Sequence, residues 1–322
     1  MEPDMLELEA IDMKQPEDII VKKFIVQMET LGFVYIKNVD GFDEDEMLSA
    51  CKAFHGISEK EKKKLMWKNH NPNNKNIYRG LSPFIDNDES HKELFDMGLS
   101  LENISEEERK YPLYEETPFP SGNSFYDGLK KYYSEQLNHR INLGLKLLSY
   151  IAIGLGLERN YFDKFFTNSL STFRTIYYKP RCESTVKQDL LSEESLKLTT
   201  PEHTDSGFIT ILSTFGYGGL QVLHNGKYKT IKPKKNYLVI NFGDLLARIT
   251  NNKLKATKHR VIDIGIERFS NPFFFDPNYS AKIPNKIINF ENDNVDNDCI
   301  IFGEYLIKKM TSKYGEWKKF KL

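Results

Sequence analysis

Residues 203–270 contain three short motifs in a fixed order. They are His203-Thr204-Asp205, then Lys258-His259-Arg260-Val261, then Arg268-Phe269-Ser270. Because side chains two residues apart in a strand share a face, His203 and Asp205 can point at the same atom, and His259 can supply a third ligand. The order therefore predicts a metal site built from His203, Asp205 and His259.

The ligand chemistry narrows the choice of metal. Two imidazoles and one carboxylate on one face of an octahedral ion leave positions open for other molecules, as in non-haem Fe(II) oxygenases. Arg268 and Ser270 repeat the two-residue spacing on a later strand, and a planar guanidinium fork suits a carboxylate. Zinc also accepts two histidines and one aspartate, so a zinc hydrolase is an alternative.

With these motifs in order, the chain resembles the isopenicillin N synthase-like branch of the 2-oxoglutarate and Fe(II)-dependent oxygenases over nearly its whole length. Further resembling segments are Leu31-Gly32-Phe33-Val34-Tyr35-Ile36, Lys92-Glu93-Leu94-Phe95-Asp96-Met97-Gly98, His203-Thr204-Asp205-Ser206-Gly207, Gly219-Leu220-Gln221-Val222, Asn241-Phe242-Gly243-Asp244-Leu245 and Arg268-Phe269-Ser270-Asn271-Pro272-Phe273-Phe274. The resemblance implies a mixed α/β (α+β) fold with a double-stranded β-helix (jelly roll) core, flanking helices and a long central helix.

The resemblance also implies a chemistry. Fe(II) would be bound by the three ligands and chelated by 2-oxoglutarate, whose distal carboxylate would be held by Arg268 and Ser270 with a donor from Tyr178. Dioxygen would take the remaining coordination position of the iron. Decarboxylation to succinate and carbon dioxide would accompany oxidation of an unactivated C–H bond in a small molecule of specialised or amino-acid-derived metabolism, by hydroxylation, desaturation or ring closure.

One departure keeps other functions open. Where the family carries Asn-Tyr-Tyr-Pro, this chain reads Ile176-Tyr177-Tyr178-Lys179-Pro180, so the amide contribution to the co-substrate is absent. An oxidase of the isopenicillin N synthase type would use no 2-oxoglutarate, and Arg268 and Ser270 would then hold the carboxylate of the substrate itself. A non-catalytic ligand-binding protein is a further alternative, which the presence of all three metal ligands disfavours.

Three side chains are candidates for contact with the substrate. Arg79 lies in a segment where relatives contribute such contacts, and Phe274 shares a strand face with Arg268 and Ser270 where relatives place an aromatic ring. Arg174 shares a face with Tyr178 and would favour an acidic or amino-acid-like substrate, unless it forms a structural ion pair. His55 is expected to be structural.

The composition indicates a globular enzyme. The 322 residues are 39% hydrophobic, and a net charge of -1 disfavours nucleic-acid binding through bulk electrostatics. Cys51, Cys182 and Cys299 form no CxxC pair, which favours free thiols in a reducing compartment. Because we find neither a secretory apolar segment nor one of membrane length, we expect a cytoplasmic protein without membrane, nucleic-acid or obligate protein partners.

The periodicity predicts the order of elements. We expect residues 1–120 to form an N-terminal helix and strand region, and residues 121–322 to form a long helix, the jelly roll and a C-terminal helix, in one compact unit. The individual predictions are helices over 16–31, 124–154 and 302–317, a strand over 33–37, a capping box at 58–61 and a hairpin turn at Asn225-Gly226. The segment 182–200 is predicted to be either a flap or a solvated loop.

Overall fold

Two facing β-sheets form the centre of the chain in a computed structural model that describes residues 5–86, 88–181, 196–287 and 299–313. The strands are β1 Met5–Leu6, β2 Ala10–Asp12, β3 Phe33–Lys37, β4 Gly80–Ser82, β5 Lys92–Met97, β6 Thr172–Tyr178, β7 Leu198–His203, β8 Ile209–Ser213, β9 Leu220–His224, β10 Lys227–Ile231, β11 Tyr237–Phe242, β12 His259–Ile262, β13 Arg268–Phe275, β14 Lys282–Pro284 and β15 Cys299–Ile301. The helices are α1 Glu17–Thr30, α2 Glu44–His55, α3 Glu59–Leu65, α4 Ser124–Gly154, α5 Asp244–Ile249 and α6 Phe302–Lys313.

The larger sheet has eight strands in the order β2-β3-β11-β8-β13-β6-β5-β4, and the smaller has five in the order β1-β10-β9-β12-β7. Alternate side chains of the larger sheet point to opposite sides, so the sheet has an inner face toward the smaller sheet and an outer face toward the helices. Phe33, Tyr35 and Val239 of the inner face pack with Leu220 and Val222 of the smaller sheet. This double-sheet arrangement confirms the predicted mixed α/β jelly roll with flanking helices.

The outer face of the larger sheet is covered by helices α1 and α4. Asn123 caps α4, because its side chain accepts a hydrogen bond from the backbone N–H of Tyr126 at 2.9 Å. A Cβ atom on Gly144 would overlap the ring of Phe275, so the glycine allows α4 to approach β13 closely. The long central helix predicted over 124–154 is confirmed, and its buried face forms much of the main core.

Most of the other elements predicted from the sequence are present in the structure. The early helix and strand, the Ser58 cap of α3 and the hairpin at Asn225-Gly226 are confirmed. Helix α6 begins at Phe302 as expected, but its predicted end at residue 317 lies outside the described residues. Within the segment 182–200, residues 198–200 belong to strand β7, while 182–195 lie outside the described residues. The division at residue 120 stays a prediction.

No helix in the described ranges combines the length and the apolar character that a membrane crossing requires.

Candidate metal centre

His203 and His259 are neighbours on two paired strands of the smaller sheet. His203 ends β7, His259 begins β12, and the two residues lie opposite each other in the antiparallel register. The expectation that His203 and Asp205 share one strand face is wrong in its detail, because β7 stops at His203 and Asp205 lies in the turn that follows. That turn still brings the carboxylate to the histidines. Oδ1 of Asp205 lies 3.6 Å from Nε2 of His203 and 3.7 Å from Nε2 of His259.

Hydrogen bonds to the backbone fix the orientation of both imidazole rings. Nδ1 of His203 lies 2.8 Å from the carbonyl oxygen of Pro201, and Nδ1 of His259 lies 3.1 Å from that of Thr257. A carbonyl can only accept, so each Nδ1 carries the proton and each Nε2 keeps its lone pair. Two neutral imidazoles and one carboxylate converge, with ligand atoms within 4.8 Å of one another, and no other such group of three occurs in the described ranges. This donor set suits Fe(II) or zinc.

The second carboxylate oxygen of Asp205 is held by two neutral donors. Oδ2 accepts a hydrogen bond from Oγ1 of Thr210 at 2.5 Å and from Nδ2 of Asn241 at 2.7 Å. Burial alone would raise the pKa of Asp205, but the hydrogen bonds from Thr210 and Asn241 are among the interactions that hold it below its usual value. The carboxylate is therefore ionised and oriented, with Oδ1 toward the histidines.

The sequence patterns did not assign a role to Thr210 or Asn241. They lie directly opposite each other on β8 and β11, so both side chains project from the inner face toward Asp205. Asn241 belongs to a segment that resembles the family, and this was the one available signal. Thr210 gave none, because its position depends on the register between strands that are distant in sequence.

The turn that carries Asp205 packs closely on the start of helix α5. The backbone N–H of Asp244 donates to the carbonyl of Asp205 at 2.7 Å. A Cβ atom on Gly243 would overlap the carbonyl oxygen of Gly207, so only glycine permits this approach. The two resembling segments at 203–207 and 241–245 thus form one backbone unit that fixes the carboxylate.

The predicted carboxylate clamp assembles on the inner face of the larger sheet. Arg268 is opposite Tyr178, and Ser270 is opposite Ile176, in the antiparallel pairing of β13 with β6. The guanidinium carbon of Arg268 lies 3.5 Å from the centroid of the Tyr178 ring, and both residues are only 4% exposed. Burial would raise the pKa of Tyr178, but the cations of Arg268 and Lys92 and a hydrogen bond with Ser270 keep it below its usual value. This end of the inner face is electropositive.

Arg174 and Phe274 lie further along the same face. Arg174 donates from Nε and Nη2 to the two carboxylate oxygens of Asp96, at 2.6 and 2.7 Å, and its guanidinium carbon lies 5.4 Å from the centroid of the Phe274 ring. The Arg174 side chain keeps 28% exposure, whereas Asp96 is buried at 2%. The ion pair that was the alternative for Arg174 is present, and the Arg174 side chain remains partly exposed.

Arg79, unlike Arg174, is not partly exposed. It is buried, and its guanidinium donates to Oγ1 of Thr172 at 2.6 Å and to the carbonyls of Met97, Leu170 and Ser171. These acceptors tie strands β4, β5 and β6 together. Substrate contact by Arg79 stays a prediction, and this geometry favours a structural part instead.

A jelly roll that surrounds two histidines and one carboxylate, beside a buried arginine, defines a class of proteins with a facial metal centre. Residues 170–277 match the family model described as the 2OG-Fe(II) oxygenase superfamily. The matched residues include all three candidate ligands, Arg268 and Ser270.

Individual proteins of known sequence are also similar to this chain. Gibberellin 20 oxidase 3 of Arabidopsis thaliana is 34% identical over 167 residues, which cover 51% of this chain and 41% of that protein. A probable iron/ascorbate oxidoreductase of Dictyostelium discoideum is 30% identical over 229 residues, which cover 68% of this chain and 59% of that protein. The chain therefore spans about half the length of these relatives.

A solved structure shares the fold over almost the whole chain. A full-length Neurospora crassa protein, crystallised in complex with alpha-KG and 5-formyluracil, matches with a TM-score of 0.77 and 24% identity, covering 96% of this chain and 97% of that one. At this identity the likeness shows the fold alone.

Proposed function

We propose that this protein is a 2-oxoglutarate-dependent non-haem Fe(II) oxygenase that oxidises an unactivated C–H bond of a small molecule. The observation that carries the proposal is the position of two sites on facing sheets. The two histidines of the ligand set lie at the end of β7 and the start of β12 in the smaller sheet, with Asp205 just after β7. The clamp of Arg268, Ser270 and Tyr178 lies on the inner face of the larger sheet. A keto acid with a distal carboxylate needs both.

The residues present fit the metal and the co-substrate. Histidines fixed as neutral ligands and an ionised aspartate suit Fe(II), and a buried arginine beside a serine suits a carboxylate. When bound, Fe(II) and 2-oxoglutarate supply the oxidising power, with O₂ consumed and succinate and CO₂ released. Zinc fits the same ligands, and metal analysis distinguishes a zinc hydrolase from the oxygenase.

The contribution of the chain itself is positioning and exclusion of water. Thr210 and Asn241 keep Asp205 in one orientation, and the Pro201 and Thr257 carbonyls do the same for the two histidines. Arg268 and Tyr178 are shielded from bulk solvent, so their interaction with an anion is stronger than it would be at a surface. A small shift of these groups would misplace the reacting bond.

For the substrate we propose a small molecule that contacts Arg174 and Phe274. The partly exposed Arg174 side chain beside an aromatic ring would favour a carboxylate-bearing or amino-acid-like compound. The low net charge supports the absence of a nucleic-acid partner. We further propose a cytoplasmic protein without an obligate protein partner, acting in specialised or amino-acid-derived metabolism by hydroxylation, desaturation or ring closure.

The proposal is tested by anaerobic titration of the Fe(II)-loaded protein with 2-oxoglutarate, monitored by the weak visible charge-transfer band of a chelated keto acid. We expect a saturable band in the wild type and a dissociation constant at least about 30-fold higher in Arg268→Ala, because the distal carboxylate loses a buried charge-assisted hydrogen bond. Arg159→Ala, at an exposed pair with Glu17, is the control and should bind normally.

A protein that binds iron but gives no band contradicts the use of 2-oxoglutarate. That result would favour the oxidase of the isopenicillin N synthase type, in which Arg268 and Ser270 hold the substrate. Ile176 gives this alternative a structural basis, because it lies opposite Ser270 where an amide would otherwise reach the co-substrate.

A further inference from the structure

Lys92 extends the clamp on the inner face of the larger sheet. In the pairing of β5 with β6, Lys92 lies opposite Tyr178, and Tyr178 in turn lies opposite Arg268 on β13. The three side chains therefore form a row across three strands, with the phenol between two cations. Glu93, the next residue, points to the outer face, so the alternation of β5 presents only the lysine to the clamp.

The lysine and the arginine converge on the strand that leads to the metal ligands. Nζ of Lys92 donates to the carbonyl of Thr199 at 2.6 Å and to Oγ1 of Thr200 at 3.0 Å. Nη2 of Arg268 donates to Oγ1 of Thr199 at 3.2 Å. Both cations are thus anchored to β7, which ends at His203, and both face the same end of the space between the sheets.

Neither cation has an anionic partner in the described parts of the chain. The described ion pairs include Arg174 with Asp96, but none includes Lys92 or Arg268. Two neighbouring cations withdrawn from bulk water repel each other, and neutral acceptors such as the Thr199 carbonyl only partly offset that cost. Burial, together with the nearby charges of Arg174 and Arg268, lowers the pKa of Lys92, although Tyr178 and the more weakly acting Asp88 oppose the change. Excess positive charge of this kind is typical of an anion site.

We propose that Lys92 is a second cationic ligand for the distal carboxylate of the co-substrate, acting with Arg268 across Tyr178. The inference rests on the proposed function and deepens it. The anion is bound from two sides, by a guanidinium from β13 and an ammonium from β5. Lys92 also compensates for the amide that Ile176 replaces on this face, since it adds a donor from the neighbouring strand.

The matched variants separate charge from hydrogen bonding. Lys92→Gln keeps a donor toward the Thr199 carbonyl but removes the cation, whereas Lys92→Arg keeps the cation. We would load the wild type and each variant with Mn(II), which prevents turnover, and measure binding of two keto acids by calorimetry. One is 2-oxoglutarate, and the other is 2-oxovalerate, which has the same chain length but lacks the distal carboxylate.

We expect Lys92→Gln to bind 2-oxoglutarate at least about 10-fold more weakly than the wild type, with 2-oxovalerate binding unchanged within about 2-fold. Lys92→Arg should restore most of the affinity. Arg268→Ala, which leaves the lysine in place, should still prefer 2-oxoglutarate over 2-oxovalerate, and the double variant should lose that preference. The Arg268→Ala comparison stays decisive even if Lys92→Gln does not fold.

Three results would overturn the inference. Normal 2-oxoglutarate affinity in Lys92→Gln would reduce the lysine to a tie between β5 and β7. An equal loss for both keto acids would indicate a distorted site, and so would Arg268→Ala without any remaining preference. If the metal-loaded wild type itself does not bind 2-oxoglutarate, the proposed function fails as well, and this outcome is recognised before any variant is made.

Discussion

Two clusters of histidine and carboxylate lie on opposite sides of the larger sheet, and they differ in the way their polar atoms are arranged. On the outer face, Nδ1 of His55 lies 2.7 Å from Oε1 of Glu93, and its Nε2 lies 3.1 Å from Oγ1 of Thr175. Nζ of Lys62 lies 3.1 Å from the same carboxylate. Every ring nitrogen and both charges have a partner within the protein.

The inner cluster is arranged differently. Nε2 of His203 and Nε2 of His259 lie 3.6 and 3.7 Å from Oδ1 of Asp205, which is too long for hydrogen bonds. The Nδ1 atoms and the other carboxylate oxygen are all engaged. Three lone-pair donors therefore point at a common position.

The comparison gives a criterion for function that residue type alone does not. Both clusters contain buried histidine and carboxylate, but the outer one connects α2, α3, β5 and β6, while the inner one presents ligand atoms. The arginines differ in the same sense, since Arg79 donates to four acceptors of the chain and Arg268 meets only Tyr178 and Thr199 among the described residues. The convergence of ligand atoms, and not the residue types alone, marks the site.

The largest effect is expected where the inner cluster loses a metal ligand. His203→Ala should lower Fe(II) affinity more than about 100-fold and reduce turnover below detection, because two ligands cannot hold the ion in place. Equilibrium dialysis with Fe(II), followed by metal analysis, measures the effect. His224→Ala, at the end of strand β9, is the matched control. Stoichiometric iron in folded His203→Ala would refute the assignment of this ligand.

Loss of a partner in the outer cluster should lower the stability of the fold instead. Glu93→Ala leaves the Lys62 ammonium and the His55 ring without their carboxylate at sites where the three side chains are only 1–6% exposed. We expect the free energy of unfolding to fall by about 3–5 kcal/mol, since a buried charge loses its partner. Urea unfolding measures this loss, and metal affinity of the folded protein should be unchanged.

The control for this variant is Glu135→Ala, which removes an exposed partner of Lys131 on α4 and should not change stability measurably. If Glu93→Ala weakened metal binding as much as it weakened the fold, the two faces of the sheet would not be independent, and the contrast between the clusters would lose its meaning.

The sequence predicted the secondary-structure elements and the metal-binding and clamp residues better than it predicted the contacts that hold those residues in place. The ligands, Arg268, Ser270 and the hairpin at Asn225-Gly226 belong to local patterns, so their spacing carries the information. The contacts of Thr210 and Asn241, the acceptors of Arg79 and the pairing of Lys92 with Tyr178 depend on strand register between distant segments. The turn after β7 was mistaken for strand because the two-residue spacing does not distinguish them.

The smallest of the expected effects concerns one such contact, the hydrogen bond from Asn241 to Asp205. Asn241→Ala removes the donor that orients Oδ2 of Asp205 but leaves all three ligands, so Fe(II) affinity should fall by about 10- to 100-fold. Competition with a chromophoric chelator measures the change. Asn271→Ala is the matched control, because this buried asparagine of β13 points to the outer face and donates to the carbonyl of Arg174. It should lose stability while keeping its metal affinity. If both variants lost metal affinity equally, the orienting role of Asn241 would be indistinguishable from general damage to the sheet, and only Thr210 would remain as a specific support of the carboxylate.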